Sequence, residues 1–325
     1  MTTLPPIDMS QARGAVPKQR ARQFEVLDAG LTTTGYVHLV EHGIPADLVG
    51  ELFAVTREFF ALSPEQKIAV AQPAPEQVRG WSGVGAEGIA YSLDEESHGD
   101  LKEKMDIGPL EGETPGDGPL AFPNLWPGTP ERFRPLWEEY YRHMRALGAD
   151  LLSLAAEGFG LDPGFFAPMF TDELSMLRAL YFPPQIEPPM PYQYRAGTHT
   201  DYGAFTVVNA ESTPGGLQVF DRQGEWIEVS TSPGSLVVMV GDLLAEWTAD
   251  RWPATVHRTG NPPRSVGFER SRLAFAYYQH PSADTAVREL PPFATGTTDG
   301  TADLLAGDHL VEKYVRQTTF GHAGR

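Results

Sequence analysis

Apolar positions recur along this chain with two different periods, and the change between them falls near residue 170. Before it, helical spacing dominates. Across residues 46–62, Leu48, Val49, Leu52, Phe53, Val55, Phe59 and Phe60 repeat at the spacing of one helix face and predict an amphipathic helix. Ser63-Pro64 then opens a further helical turn, with serine as N-cap and proline at the first position. The strongest helical pattern covers 131–160, where Phe133, Leu136, Trp137, Tyr140, Met144, Leu147, Leu151 and Leu154 share a side. Residues 24–40 predict a helix followed by a strand that ends in an alternating run at 35–40. The first twenty-odd residues are polar and expected to be loose, apart from an edge strand at 4–8. Residues 72–128, rich in proline, glycine and acid, predict long loops with a short strand at 104–107.

After residue 170 the period shortens. Strands are expected at 174–182, 204–210, 217–220, 226–229, 236–240 and 273–278, separated by turn signals such as Thr213-Pro214-Gly215-Gly216 and Asp221-Arg222-Gln223-Gly224. Many short strands at this spacing predict a sandwich or barrel. A closing helix is expected at 301–319.

Composition narrows the chemistry. With 325 residues and 41% hydrophobic content, the chain can bury a sizeable core, and 33 Gly with 29 Pro suit a turn-rich fold. A formal net charge of −18 argues against nucleic acid and anionic membrane surfaces as partners. The N-terminal residues lack a basic and apolar leader pattern, and no apolar run reaches the ~18 residues of a membrane span. A cytoplasmic protein is expected. There is no cysteine, so any metal must be held by His, Asp or Glu.

The stretch Gly197-Thr198-His199-Thr200-Asp201 runs into an apolar segment. In an extended strand, His199 and Asp201 would face one side, their Cα atoms about 6.6 Å apart, which suits adjacent corners of one metal ion. Far along the chain, Thr255-Val256-His257-Arg258 offers a third ligand. Two histidines and one carboxylate form the facial triad that leaves positions open on Fe(II) for a co-substrate and O2. Arg272 heads another apolar strand, and a wall arginine is costly unless paired; a ligand carboxylate would engage its fork. His98-Gly99-Asp100 repeats the His-x-Asp pattern in an acidic loop with no strand after it, so His98 reads as a solvated loop histidine. Gly83-Val84-Gly85-Ala86-Glu87-Gly88 matches a dinucleotide fingerprint but lacks the strand before and the helix after. His38, His143 and His280 read as packed or surface histidines.

Taken in order, Gly35-Tyr36, His42-Gly43-Ile44-Pro45, Asn124-Leu125-Trp126-Pro127, Tyr181-Phe182-Pro183-Pro184, His199-Thr200-Asp201, Gly241-Asp242, His257-Arg258 and residues 272–281 span nearly the whole chain. This set resembles the isopenicillin N synthase-like branch of the Fe(II)/2-oxoglutarate-dependent oxygenases. The resemblance implies a mixed α and β fold, a distorted double-stranded β-helix (jelly roll) flanked by helices. It implies a single domain over 1–325: a mainly helical N-terminal part to 170, a jelly-roll core at 171–285 and a C-terminal segment at 286–325. It further implies His199, Asp201 and His257 as iron ligands and Arg272 as anchor for the distal carboxylate of 2-oxoglutarate. The activity implied is hydroxylation, desaturation or cyclisation of a small-molecule substrate, in specialised metabolism. One position departs. Ala274 stands where the family carries a serine, and the lost hydroxyl removes one charge-assisted hydrogen bond, about 1.5–3 kcal/mol if nothing replaces it. Tyr181, Tyr192 and Tyr194 are the candidate replacements, and the departure leaves open an oxidase that needs no 2-oxoglutarate. A second alternative is a non-catalytic jelly roll with a structural metal. Arg178, Arg195 and Tyr202 are candidate substrate contacts, with internal ion pairs as the competing reading for both arginines.

Overall fold

The computed structural model describes residues 4–93, 98–110, 120, 122–294 and 304–319. The chain opens with β1 (Ile7–Asp8), α1 (Met9–Arg13) and α2 (Pro17–Thr33). The N-terminal stretch is therefore ordered helix and not loose. Asp8 caps α1 by accepting from the Gln11 amide at 3.1 Å, and Met9, Val26, Leu27 and Leu31 are buried. Polarity alone hid these helices, whose apolar faces are narrow.

β2 (Tyr36–Val40), α3 (Ala46–Phe60) and α4 (Pro64–Ile68) follow, α4 starting at a capping box between Ser63 and Gln66. Then come β3 (Gly80–Ser82), β4 (Glu103–Ile107) and the long α5 (Phe133–Gly158). The remainder is β5 (Met176–Phe182), β6 (Ala196–His199), β7 (Phe205–Ala210), β8 (Leu217–Phe220), β9 (Trp226–Glu228), β10 (Leu236–Val240), α6 (Asp242–Trp247), β11 (His257–Thr259), β12 (Arg272–Tyr278), β13 (Ala286–Val287), β14 (Leu304–Leu305) and α7 (Ala306–Thr318). The expected closing helix starts at Ala306; residues 301–303 lie outside the described residues.

Eight strands form the larger sheet in the order β1-β2-β10-β7-β12-β5-β4-β3, and β6-β11-β8-β9 form the smaller one. Val208, Val237, Met239 and Ala276 of the larger sheet pack with Leu217 and Val219 of the smaller, so the two close on each other as a jelly-roll sandwich. Four strands of the larger sheet, β1 to β4, come from before residue 171.

Strand alternation decides what each face does. On β12, Leu273, Phe275 and Tyr277 join the main core, whereas Arg272, Ala274, Ala276 and Tyr278 line an interior cavity. On β5, Arg178, Leu180 and Phe182 line the same cavity, and Leu177 and Ala179 face the helices. The outer face is covered by α3 and α5. Phe275 sits 5.0 Å from Phe53 and 5.5 Å from Trp137, each edge-on, and the Trp137 indole N–H donates to Thr56 Oγ1 at 2.9 Å. Helices thus stiffen one side of the sheet and leave the other free to carry a site. Phe275→Ala is expected to cost about 3–5 kcal/mol of folding free energy, read from the urea midpoint, because it opens a void where two helices meet the sheet.

Candidate metal centre and its cavity

His199 is the last residue of β6 and His257 the first of β11; the two are register partners across the strand pair. Their rings lie 4.1 Å apart between centroids. Asp201 is not on the strand. The hydrogen-bonded strand ends at His199, so strand pairing alone does not fix the carboxylate. What holds Asp201 is a backbone clasp: its carbonyl accepts from the Asp242 amide at 2.7 Å, Gly203 O from Leu243 N at 3.0 Å, and Ala204 O from Gly241 N at 2.7 Å. Glycine is required at this crossing, because a Cβ on Gly241 would lie 2.4 Å from Gly203 O.

The clasp turns the Asp201 carboxylate between the two imidazoles, with Oδ1 3.6 Å from His199 Nε2 and Oδ2 3.6 Å from His257 Nε2. All three side chains are buried, and their ligand atoms lie within 4.8 Å of one another. Each imidazole Nδ1 faces a carbonyl two residues back, Gly197 O at 2.8 Å and Thr255 O at 2.9 Å. An Nδ1–H donated to these carbonyls leaves each Nε2 lone pair aimed at the common centre. Burial, with the neighbouring His257 second, pushes His199 well below the usual histidine range; burial also raises Asp201. Asp201 Oδ2 is buried without a hydrogen-bond partner. Imidazole nitrogens around an unpartnered carboxylate oxygen make a cation site, and an all-N/O set of three suits Fe(II).

The cavity beside the triad is lined by Phe182, Thr206, Thr259, Arg272 and Ala274, among others. Arg272 is buried and makes no hydrogen bond or ion pair among the described residues. Burial lowers its pKa to about 10, assisted by the like charge of Arg195 and opposed by Glu211 and Glu228. A dry guanidinium facing a cavity fits a carboxylate ligand.

The other expected residues scatter. Tyr181 sits on the helix side of β5, stacked on Phe60 at 5.0 Å; Tyr192 is exposed; Tyr194 receives a hydrogen bond from Arg258 at 3.2 Å. None of the three lines the cavity, so none stands in for the missing hydroxyl at Ala274. Tyr202 packs under α7 and donates to Gln317 Oε1 at 2.9 Å. Arg178 reaches the cavity but grips Asp106 through two bonds, 2.6 and 3.0 Å. It belongs to a buried network with Lys102, Lys104, Glu87, Asp100 and Asp106. Lys102, which also lines the cavity, escaped the sequence reading, although Asp100, Lys102, Lys104 and Asp106 recur at strand spacing and mark one face. His98 is exposed; the 83–88 stretch does follow a short strand, β3, contrary to expectation, but leads into a 3-10 turn at Ile89–Leu93 and not into the α-helix a dinucleotide needs. His280 is packed, held down to about 3 chiefly by burial.

Comparison with known proteins agrees with this geometry. Residues 4–129 match the non-haem dioxygenase N-terminal family model, and 173–281 match that of the 2OG-Fe(II) oxygenase superfamily. A proline hydroxylase of Petromyces alliaceus is 33% identical over 87% of this chain and 89% of its own. Validamycin A dioxygenase of Streptomyces hygroscopicus subsp. limoneus is 28% identical over 98% and 87%. The crystal structure of a full-length Neurospora crassa protein in complex with alpha-KG and thymine superposes with a TM-score of 0.83, at 27% identity, covering 96% of each chain. The carboxylate set between two imidazoles, its Oδ2 unpartnered, and the unpartnered guanidinium beside it thus have a family to match, and the chain belongs to the 2OG-Fe(II) oxygenase superfamily.

Proposed function

We propose that this Fe(II)/2-oxoglutarate-dependent dioxygenase binds its iron through His199, Asp201 and His257 and the distal carboxylate of 2-oxoglutarate through Arg272. The observation that carries the reading is the pairing of two unsatisfied buried groups in one cavity, Asp201 Oδ2 and Arg272 Nε. Each is costly alone, and a metal–carboxylate ligand pair satisfies both. With O2, the iron and 2-oxoglutarate supply the oxidising power for a C–H bond and release succinate and CO2. The protein holds the reactants and keeps water out. The Nδ1 bonds to Gly197 and Thr255 fix the ring planes, the Gly203–Gly241 crossing fixes the carboxylate, and the apolar walls Leu180, Phe182 and Ala276 dry the cavity. The unpartnered Arg272 and the relatives' dependence on 2-oxoglutarate favour this reading over an oxidase that dispenses with it.

The substrate is a small polar molecule. It meets the wall formed by Arg178, Lys102 and Tyr278, where three cations are matched by three carboxylates. A balanced wall offers N–H groups without net charge, which suits a neutral or zwitterionic compound. The named relatives, a proline hydroxylase and a validamycin A dioxygenase, and the thymine bound to the Neurospora protein, all concern compounds of that kind. Arg178 and Tyr202 act through this wall and its support, not as free charges.

His257→Ala is expected to abolish substrate-coupled succinate release while far-ultraviolet circular dichroism stays unchanged; full activity would remove His257 from the iron site. Arg272→Gln is expected to raise the KM for 2-oxoglutarate by about 10–100-fold, the range of one lost charge-assisted contact, with a smaller change in kcat. A panel of small neutral and zwitterionic compounds, scored by succinate release, should contain substrates whose products gain one oxygen or lose two hydrogens by mass spectrometry. A response confined to polyanions would refute the balanced-wall argument.

A further inference from the structure

A second cavity lies on the helix side of the larger sheet, where α5 and the 163–170 segment leave a cleft of about 230 Å³. No residue lines both this cleft and the cavity beside the triad. Strand alternation separates them: Gln279 follows β12 and continues the row of Leu273, Phe275 and Tyr277, which faces the main core and not the metal. Leu152 of α5, Phe166 and Phe170 make the apolar walls. Both phenyl rings rest on Trp247, Phe166 stacked at 5.7 Å and Phe170 edge-on at 6.3 Å, so this wall is fixed before anything binds.

The polar part of the cleft is small. Gln279 is 3% exposed, and its Oε1 is buried without a hydrogen-bond partner among the described residues. Gly148 of α5 makes room for this carboxamide, since a Cβ there would lie 2.9 Å from Gln279 Nε2. Glu173 and Arg145 also line the cleft and face each other at 3.8 Å, and Glu173 Oε2 accepts from Ser175 Oγ at 2.6 Å. A buried carbonyl oxygen without a donor is costly, and a donor entering the cleft recovers that cost. The two charges offset each other, so a charged guest finds no unmatched partner. A dry cavity of about 150 Å³ is enough for benzene, so this larger one admits a ring with one or two small substituents.

We propose that this cleft is a second ligand site, which takes a small uncharged aromatic compound carrying one hydroxyl or N–H group. The donor meets Gln279 Oε1, and the ring lies against Phe166 and Phe170. The site is independent of the iron and 2-oxoglutarate assignments.

The test is direct binding. Full-length protein, loaded with Mn(II) and saturated with 2-oxoglutarate, is titrated calorimetrically with three probes: p-cresol, p-xylene, which keeps the shape without the hydroxyl, and p-toluate, which adds a charge. p-Cresol is expected to bind once per chain, about three- to tenfold more tightly than p-xylene, and p-toluate more weakly than p-cresol. Ser153→Phe fills the cleft from a half-buried position on α5 and should remove p-cresol binding while far-ultraviolet circular dichroism stays unchanged. Gln279→Met keeps the side-chain length and deletes the amide, so it should erase the preference for p-cresol and leave p-xylene binding in place. Ser153→Phe leaves the core untouched and still locates the site if Gln279→Met fails to fold. No p-cresol binding tighter than about 1 mM, p-cresol binding no tighter than that of p-xylene or p-toluate, or p-cresol binding retained by a folded Ser153→Phe variant would overturn the proposal. So would an unaltered preference for p-cresol in Gln279→Met.

Discussion

A buried carboxylate held between two imidazoles is unfavourable on its own, and the molecule is arranged to keep it there. Three chain segments meet at that point. The β6–β11 pairing brings His199 opposite His257. Asp201 follows two residues after His199, and the start of α6 pins the 201–204 segment through the amides of Gly241, Asp242 and Leu243. Because the clasp is made of backbone groups, it requires the absence of a side chain at Gly203 and Gly241. A bound cation converts this stored electrostatic cost into affinity, which is how the fold and the metal come to depend on each other.

The larger sheet makes the site possible by having two unlike faces. Its outer face carries Leu273, Phe275 and Tyr277 into a core built with α3 and α5, and its inner face carries Arg272, Ala274 and Ala276. Small residues on the inner face leave space, and a rigid outer layer keeps that space from collapsing. At the edge of the same sheet, β4 and β5 bring together three cations and three carboxylates in the interior. Gln317 of α7 donates to Glu87 in this network at 3.3 Å and accepts from Tyr202, the neighbour of Asp201, so the C-terminal helix is tied to the wall of the site.

Strong periodicity and local chemistry were readable in the sequence. The long helix, expected at 131–160, runs Phe133–Gly158, and the strands at 217–220 and 236–240 fall on their expected residues. The three residues of the triad could be picked out because a cysteine-free chain has few ways to hold a metal and the family order is distinctive. Features that depend on tertiary contact were not readable. The N-terminal helices have narrow apolar faces, and β6 and β11 are short strands rich in polar residues whose pairing exists only once the sheets close. The orientation of Tyr181 followed from strand alternation and could have been read: with Arg272 opposite Phe182 across the β5–β12 pair, Phe182 and not Tyr181 shares the cavity face. Arg195 does not line the cavity beside the triad; its fork is bonded to the carbonyls of Pro214, Gly215 and Arg270, far along the chain, and no local pattern announces it.

Anaerobic absorption spectroscopy tests the central claim most directly. Fe(II) and 2-oxoglutarate added together to the protein should produce a visible charge-transfer band that neither gives alone and that Asp201→Ala abolishes. A protein that binds Fe(II) yet shows no band on adding 2-oxoglutarate, or an Asp201→Ala variant that retains it, would contradict the account.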